Sequence, residues 1–199
     1  MEKLEEVAKI LISRPGKVKG EVVRTNIEYI KSKVGEEGVR KIESRMRELG
    51  STLFFSEIKP FQWYNDGENS LIVLVTQEIF GWTEDDVYEM GRSTVKMSFI
   101  VRMILQYFVS MERVLKEVGR YWDKHLDVGR IEVVDFNKEE KYAILQIKDF
   151  QTHPINCIYQ KGYFKGIADL IIKSKEVDVE ETKCINRGDD YHEYLIKWK

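Results

Sequence analysis

The hydrophobic period of this chain changes once, near residue 130, and that change limits the folds open to it. Before it, apolar residues recur at helical spacing; after it, they fall into β-type runs around one further helix. Leu4 to Ile12 reads as a short amphipathic helix stopped by Arg14-Pro15-Gly16. Gly20 opens a second helix with Val22, Val23, Ile27 and Ile30 on one side; Gly35 breaks it and Gly50 ends the next. The aromatic stretch Leu53 to Tyr64, with Pro60 inside, predicts an extended crossing segment, followed by a helix from about Glu68 to Phe80. Thr83-Glu84-Asp85-Asp86 supplies a hydroxyl N-cap with carboxylates in the first turn. The helix it opens is expected to run, with a kink, to about His125. It carries an apolar stripe of Ile100, Val101, Ile104, Leu105, Phe108, Met111 and Leu115.

In the second half, Ile131 to Phe136 and Lys141 to Lys148 are strand-like runs joined by the polar turn Asn137 to Glu140. Pro154 opens a helix to about Lys173. Val177 and Val179 alternate with charged residues up to Lys183, and Arg187-Gly188-Asp189-Asp190 is a turn before the last strand, Tyr191 to Trp198. Helices first, then two hairpin halves around one late helix, predict an α+β fold. Its N-terminal helices pack on a C-terminal antiparallel sheet of about four strands. With 199 residues, no repeat and no low-complexity linker, residues 1–199 are expected to form one domain.

Charge and hydropathy narrow the function. The formal net charge is -2, so no basic footprint for nucleic acid is present. Acidic residues stand where the basic region of a signal peptide would sit. The longest apolar run, Phe99 to Val109, is interrupted by Arg102 and Gln106 and falls short of a membrane span. A cytoplasmic protein with neither nucleic-acid nor membrane partner is expected. In a reducing compartment its two cysteines, Cys157 and Cys184, read as buried thiols or as metal ligands and not as a disulfide.

The last 45 or so residues carry the chemistry. Cys157 lies on the first turns of the late helix, where the amides favour a thiolate. Cys184 and His192 are eight residues apart across a turn containing Gly188, so a hairpin can bring them together as half of a tetrahedral site. Glu181, three residues before Cys184, can add an oxygen. The same residues also read as two core cysteines, an exposed strand carboxylate and a histidine facing the core beside Tyr194 and Ile196.

The stretch from Cys157 to Lys197 resembles the 4-vinyl-reductase domain family. The resemblance rests on Cys157 ahead of Gly162-Tyr163-Phe164-Lys165-Gly166, then Cys184 and Gly188, with His192 where a third cysteine is usual. Phenol-sensing transcriptional activators carry a similar domain in which zinc is held by Cys, Glu, Cys and Cys. The resemblance therefore implies a structural zinc on Cys157, Glu181, Cys184 and His192. In a strictly alternating strand Glu181 and Cys184 face opposite ways, so a bulge must intervene, or the strand end earlier, or Glu180 serve instead. The order of elements is also similar to a wider superfamily that includes the haem-nitric-oxide/oxygen (H-NOX) sensors and small subunits of Golgi transport-tethering complexes.

H-NOX proteins use a proximal histidine and a Tyr-x-Ser-x-Arg motif. This chain has neither the motif nor a histidine between Tyr88 and Lys124, so no haem is expected. His125 reads as a solvated residue at a helix end and His153 as a loop residue. No P-loop, nucleophile elbow, dinucleotide fingerprint or metalloprotease helix occurs, and a zinc with four protein ligands is closed to substrate. The expectation is a binding or sensor domain, not an enzyme. The resemblance implies a small hydrophobic or aromatic ligand between the long helices and the sheet, against Trp63, Ile104, Phe108, Met111, Tyr159 and Tyr163. A homodimer and a separate signalling partner are expected. The alternatives are a dimeric tethering-type scaffold with no exchangeable ligand and, third, a tetrapyrrole vinyl reductase.

Overall fold

In a computed structural model, which describes residues 3–98, 111–172, 174 and 176–199, the chain is α+β, with its helices mostly N-terminal and an antiparallel sheet at the C-terminus. The helix α1 (Leu4–Ser13) buries Ala8 and Leu11 and ends where Arg14 turns extended before Pro15. The short strand β1 (Lys17–Lys19) pairs with β2 (Trp63–Asn65), a two-stranded ribbon the sequence did not announce. Between them α2 (Gly20–Glu48) is kinked at Gly35, whose φ of 72° and ψ of 178° interrupt the helix as its glycine predicts. The helix α3 (Asp66–Phe80) is capped by Asn65, whose side chain accepts from the Glu68 amide, and closes on Gly81 in the left-handed region. The helix α4 (Glu84–Met97) opens on a capping box formed by Thr83 and Asp86.

The expectation of one helix from Thr83 to His125 needs correction. Ser98 is extended (ψ 116°), which ends α4, and a separate helix α5 spans Met111–His125. The stripe positions Ile100, Val101, Ile104, Leu105 and Phe108 lie outside the described residues. The second half follows the predicted order: β3 (Arg130–Asn137), β4 (Tyr142–Lys148), α6 (Pro154–Ile171), β5 (Val177–Lys183) and β6 (His192–Trp198). The strands lie in the order β3-β4-β6-β5, all antiparallel. His153 is a cap and not merely a loop residue: its Nδ1 accepts from the Ile155 amide at 3.1 Å, with Pro154 in the first turn of α6.

Two apolar clusters form the interior. Residues from α1 to α4, joined by Ile155 of α6, make the first. The second lies between the sheet and α5 with α6, where Leu145, Ile147, Tyr194 and Ile196 meet Leu115, Trp122 and Phe164. Alternation puts these strand residues on one face. The helices α4 and α6 approach backbone to backbone. A methyl group on Gly162 would lie 2.0 Å from the Tyr88 carbonyl oxygen, and one on Gly91 would lie 2.1 Å from that of Tyr159. The glycine pattern read as a family signature thus has a packing reason.

Candidate metal centre and adjoining cavity

Four side chains from three elements meet at one end of the sheet. Alternation along β5 turns Val177, Val179 and Glu181 inward, and Glu181 stands opposite Tyr194 of β6. The register then shifts between Glu181 and Lys183, so that Cys184 also turns inward while Glu180 stays exposed. Beyond Cys184, the short 3-10 turn Ile185–Arg187 and Gly188 (φ 97°) reverse the chain. The Cys184 amide donates to Asp189 Oδ2 at 2.7 Å and closes the turn. It returns His192 beside Cys184, and α6 brings Cys157 over both.

The Sγ atoms of Cys157 and Cys184 are 3.5 Å apart. His192 Nδ1 lies 3.7 Å from Cys157 Sγ and 3.3 Å from Glu181 Oε1. All four donor atoms fall within 4.8 Å of one another. An ion with bonds of about 2.3 Å to sulfur and about 2.0 Å to nitrogen or oxygen has tetrahedral edges of about 3.8 Å between sulfurs. The corresponding sulfur–nitrogen and nitrogen–oxygen edges are about 3.5 Å and about 3.3 Å. Three of the six separations, those between the two sulfurs, between Cys157 and His192 and between His192 and Glu181, lie within a few tenths of an ångström of these edges.

The surroundings orient these atoms. His192 Nε2 lies 3.1 Å from the Phe150 carbonyl oxygen, which puts a ring proton on Nε2 and turns Nδ1 toward the cluster. Arg187 donates to Glu181 Oε2 at 3.1 Å, so Oε1 is the oxygen turned inward. Burial pushes the Glu181 carboxyl up, but the hydrogen bonds of His192 and Cys184 and the charge of Arg187 outweigh it and hold its pKa below the ordinary range. Burial, the Glu181 carboxylate and Cys184 push the Cys157 thiol well above its usual value. Without a cation this is a cluster of electron pairs that oppose ionisation; a bound cation reverses that balance.

Beside the cluster, at the seam of the two cores, lies a mainly apolar cavity of about 130 Å³. Trp122 walls it from α5, Leu126 from just beyond that helix, Phe150 from the segment between β4 and α6, and Tyr159, Tyr163 and Phe164 from α6. Of the expected ligand contacts, Tyr159 and Tyr163 therefore line it. Trp63 does not: it sits on the exposed ribbon, 39% accessible, beneath the Lys19 ammonium group at 3.9 Å. Met111 packs on the sheet-side cluster away from the cavity, and Ile104 and Phe108 lie outside the described residues. The sequence reading missed Asp66, His125 and Gln160 on the wall. The i, i+4 pair Asn156 and Gln160 on an apolar helix was a signal for a polar wall. His125 is buried, not solvated as expected: its Nδ1 is 2.8 Å from the Tyr121 carbonyl and its Nε2 3.7 Å from Glu21 Oε2.

No protein-family model matches this chain. An uncharacterized protein of Methanocaldococcus jannaschii is 26% identical over 119 residues, 56% of this chain and 62% of that protein. The aligned part is thus about three-fifths of the relative's own length. Among solved structures, an H-NOX protein from S. oneidensis in the Fe(II)NO ligation state superposes with a TM-score of 0.69. It is 12% identical, over 91% of this chain and 99% of that one. An oxygen-binding H-NOX domain related to soluble guanylate cyclases superposes at 0.63 and 17% identity, over 91% and 95%. A third structure, described as modulating haem redox potential through porphyrin distortion, gives 0.63 at 18% identity, over 90% and 99%.

These findings correct the expected cofactor, a structural zinc and no haem. Solved proteins of this fold are described by Fe(II) ligation and haem potential, so a missing sequence motif is no ground for excluding haem from it. The donor set, for its part, specifies a class of metal and not one element.

Proposed function

We propose that this chain is a small-molecule-binding domain of the sensor type, in which a tetrahedral transition-metal ion on Cys157, Glu181, Cys184 and His192 holds the C-terminal end together. One observation carries the metal: four donor atoms on three elements, with two sulfurs 3.5 Å apart, and the far nitrogen of the histidine oriented by a carbonyl. Two soft sulfurs with one imidazole and one carboxylate suit a borderline divalent ion, and four protein ligands close it to substrate. Its role is therefore structural. The Cys157, Gly162, Gly166, Cys184 and Gly188 pattern supports kinship with 4-vinyl-reductase domains, with His192 as the variant ligand.

The cavity beside the metal is the ligand site. Residues 1–199 act as one unit in this reading, because α6 serves both cores and supplies both the metal ligand Cys157 and the cavity wall. A ligand that fills the cavity locks α6 against the sheet, and a partner or a second copy of the chain reads the result. Binding, and not turnover, is the output; the neighbours in fold are described by the gases and haem they hold. Native mass spectrometry with elemental analysis tests this directly. One ion per chain, plus thermal stabilisation when small aromatic compounds are added, is the expected result. Protein that is metal-free as isolated and takes up no cobalt(II) overturns the metal; no stabilisation by any apolar probe overturns the cavity.

A second reading places haem in the cavity with His125 as the iron ligand. It is favoured by the fold and by this being the histidine on the cavity wall, its Nδ1 proton engaged by the Tyr121 carbonyl as in oriented axial ligands. The space of about 130 Å³ is far less than a macrocycle needs, so α5 would have to swing from the wall. Titration with hemin decides: a Soret band that His125→Ala abolishes supports this reading, and unbound hemin rejects it.

A further inference from the structure

The cavity wall is not uniformly apolar. Asp66 stands at the first position of α3 with its side chain on the wall. An aspartate at a helix start is ordinary in itself. Here Asp66 lines the same space as Trp122, Leu126 and Phe150, and among the described residues no hydrogen bond or ion pair is made by its carboxylate. The charges that act on it are Arg14, whose guanidinium group donates to the Gln151 carbonyl at 3.1 Å, and Asp127, of the same sign as Asp66. Burial, opposed by Arg14 and reinforced by Asp127, raises the Asp66 carboxyl to about 6.

Its neighbours add a second acceptor. Asn156 on α6, also on the wall, gives its amide nitrogen to Ser70 and Thr152, so its oxygen is the group left to accept. Asn69 and Gln160 have their oxygens committed, to Asn26 and Tyr194 at 3.0 Å each. An uncompensated carboxylate in an apolar recess is costly, and a cation that donates hydrogen bonds relieves that cost. The volume sets the rest: a cavity of about 150 Å³ in another protein holds one benzene ring, and this one encloses about 130 Å³.

We propose that this cavity takes a small monocyclic amine, its ring against Trp122, Leu126 and Phe150 and its ammonium group on the carboxylate of Asp66. The proposal rests on the ligand-cavity reading and names the ligand class. Toluene, benzyl alcohol and benzylamine, titrated into the metal-loaded protein by calorimetry near neutral pH, separate the two claims. The expected result is benzylamine binding at least ~10-fold tighter than toluene, the scale of one charge-assisted hydrogen bond. In Asp66→Asn that advantage should vanish while toluene binding persists. Toluene or benzyl alcohol binding as tightly as benzylamine overturns the proposal and leaves the apolar cavity standing. Failure of all three probes removes both. If Asp66→Asn does not fold, the ranking of the probes on the unmodified chain decides alone.

Discussion

At the sulfur of Cys157 three influences act in one direction. Burial, the Glu181 carboxylate and the second thiol all oppose its ionisation, so the deprotonated form needs a cation in the middle of the cluster. Cys157→Ser should therefore weaken cobalt(II) binding by more than ~100-fold, a larger loss than removal of a ligand's hydrogen-bond partner gives. His192→Cys should keep the ion and strengthen the sulfur-to-cobalt absorption, because a third thiolate replaces imidazole in the same geometry. Asp66 gives a pH prediction. Its folded pKa, about 6, lies above the unfolded value of ~3.9, so the folded state holds the proton more tightly and stability falls as pH rises through that interval. Asp66→Asn should be more stable than the unmodified chain at pH 8, by on the order of 2 kcal/mol, with the gap closing below pH 4. Urea melts across pH measure it; a gap independent of pH refutes the assignment.

The element that matters most is α6. It carries Cys157 on the side of the metal cluster, Tyr159 and Tyr163 on the cavity, and Gly162 and Gly166 against α4. The crossing is so close that the helix backbones touch where side chains would stand. Gly162→Ala should cost about 3 kcal/mol or more, since the atom it meets is the rigid Tyr88 carbonyl and not a side chain free to turn. Gly119→Ala in α5 is the contrast: among the described residues a methyl group there meets the Ile131 carbonyl alone, at 3.4 Å, and helix propensity offsets that contact. Denaturant midpoints of the two variants measure the difference, and equal midpoints would show that α4 and α6 do not pack this way.

Across the whole molecule α6 joins the two cores: Ile155 packs with the helices α1 to α4, and Cys157, two residues on, stands in the cluster at the end of the sheet. Three of the four candidate ligands belong to the last hairpin and the fourth to α6, so an ion bound as proposed would tie late elements to one another. Chelation should lower the melting temperature and raise amide exchange in α6, β5 and β6 before it affects α1 to α3. Hydrogen exchange with and without chelator reads this by segment. Uniform loss of protection would mean that the two cores open as one unit and that the ion is not a local tie.

The element order and the class of fold are legible in the chain alone, because helical and strand periods are local, and the resemblance carried by Cys157, Cys184, Gly188 and His192 pointed to those two cysteines and that histidine as a group. The choice between Glu180 and Glu181 is not, since a bulge of one residue reverses the facing of every later side chain on the strand and depends on pairing with β6. Trp63 on a cavity wall and His125 in solvent were misplaced for the same reason. Hydrophobic character says that a side chain prefers to be covered, and only the packing of distant elements decides what covers it. Asp66 is the clearest case: its place at a helix start is written in the chain, but the apolar space it faces exists only once α3, α5 and α6 have come together.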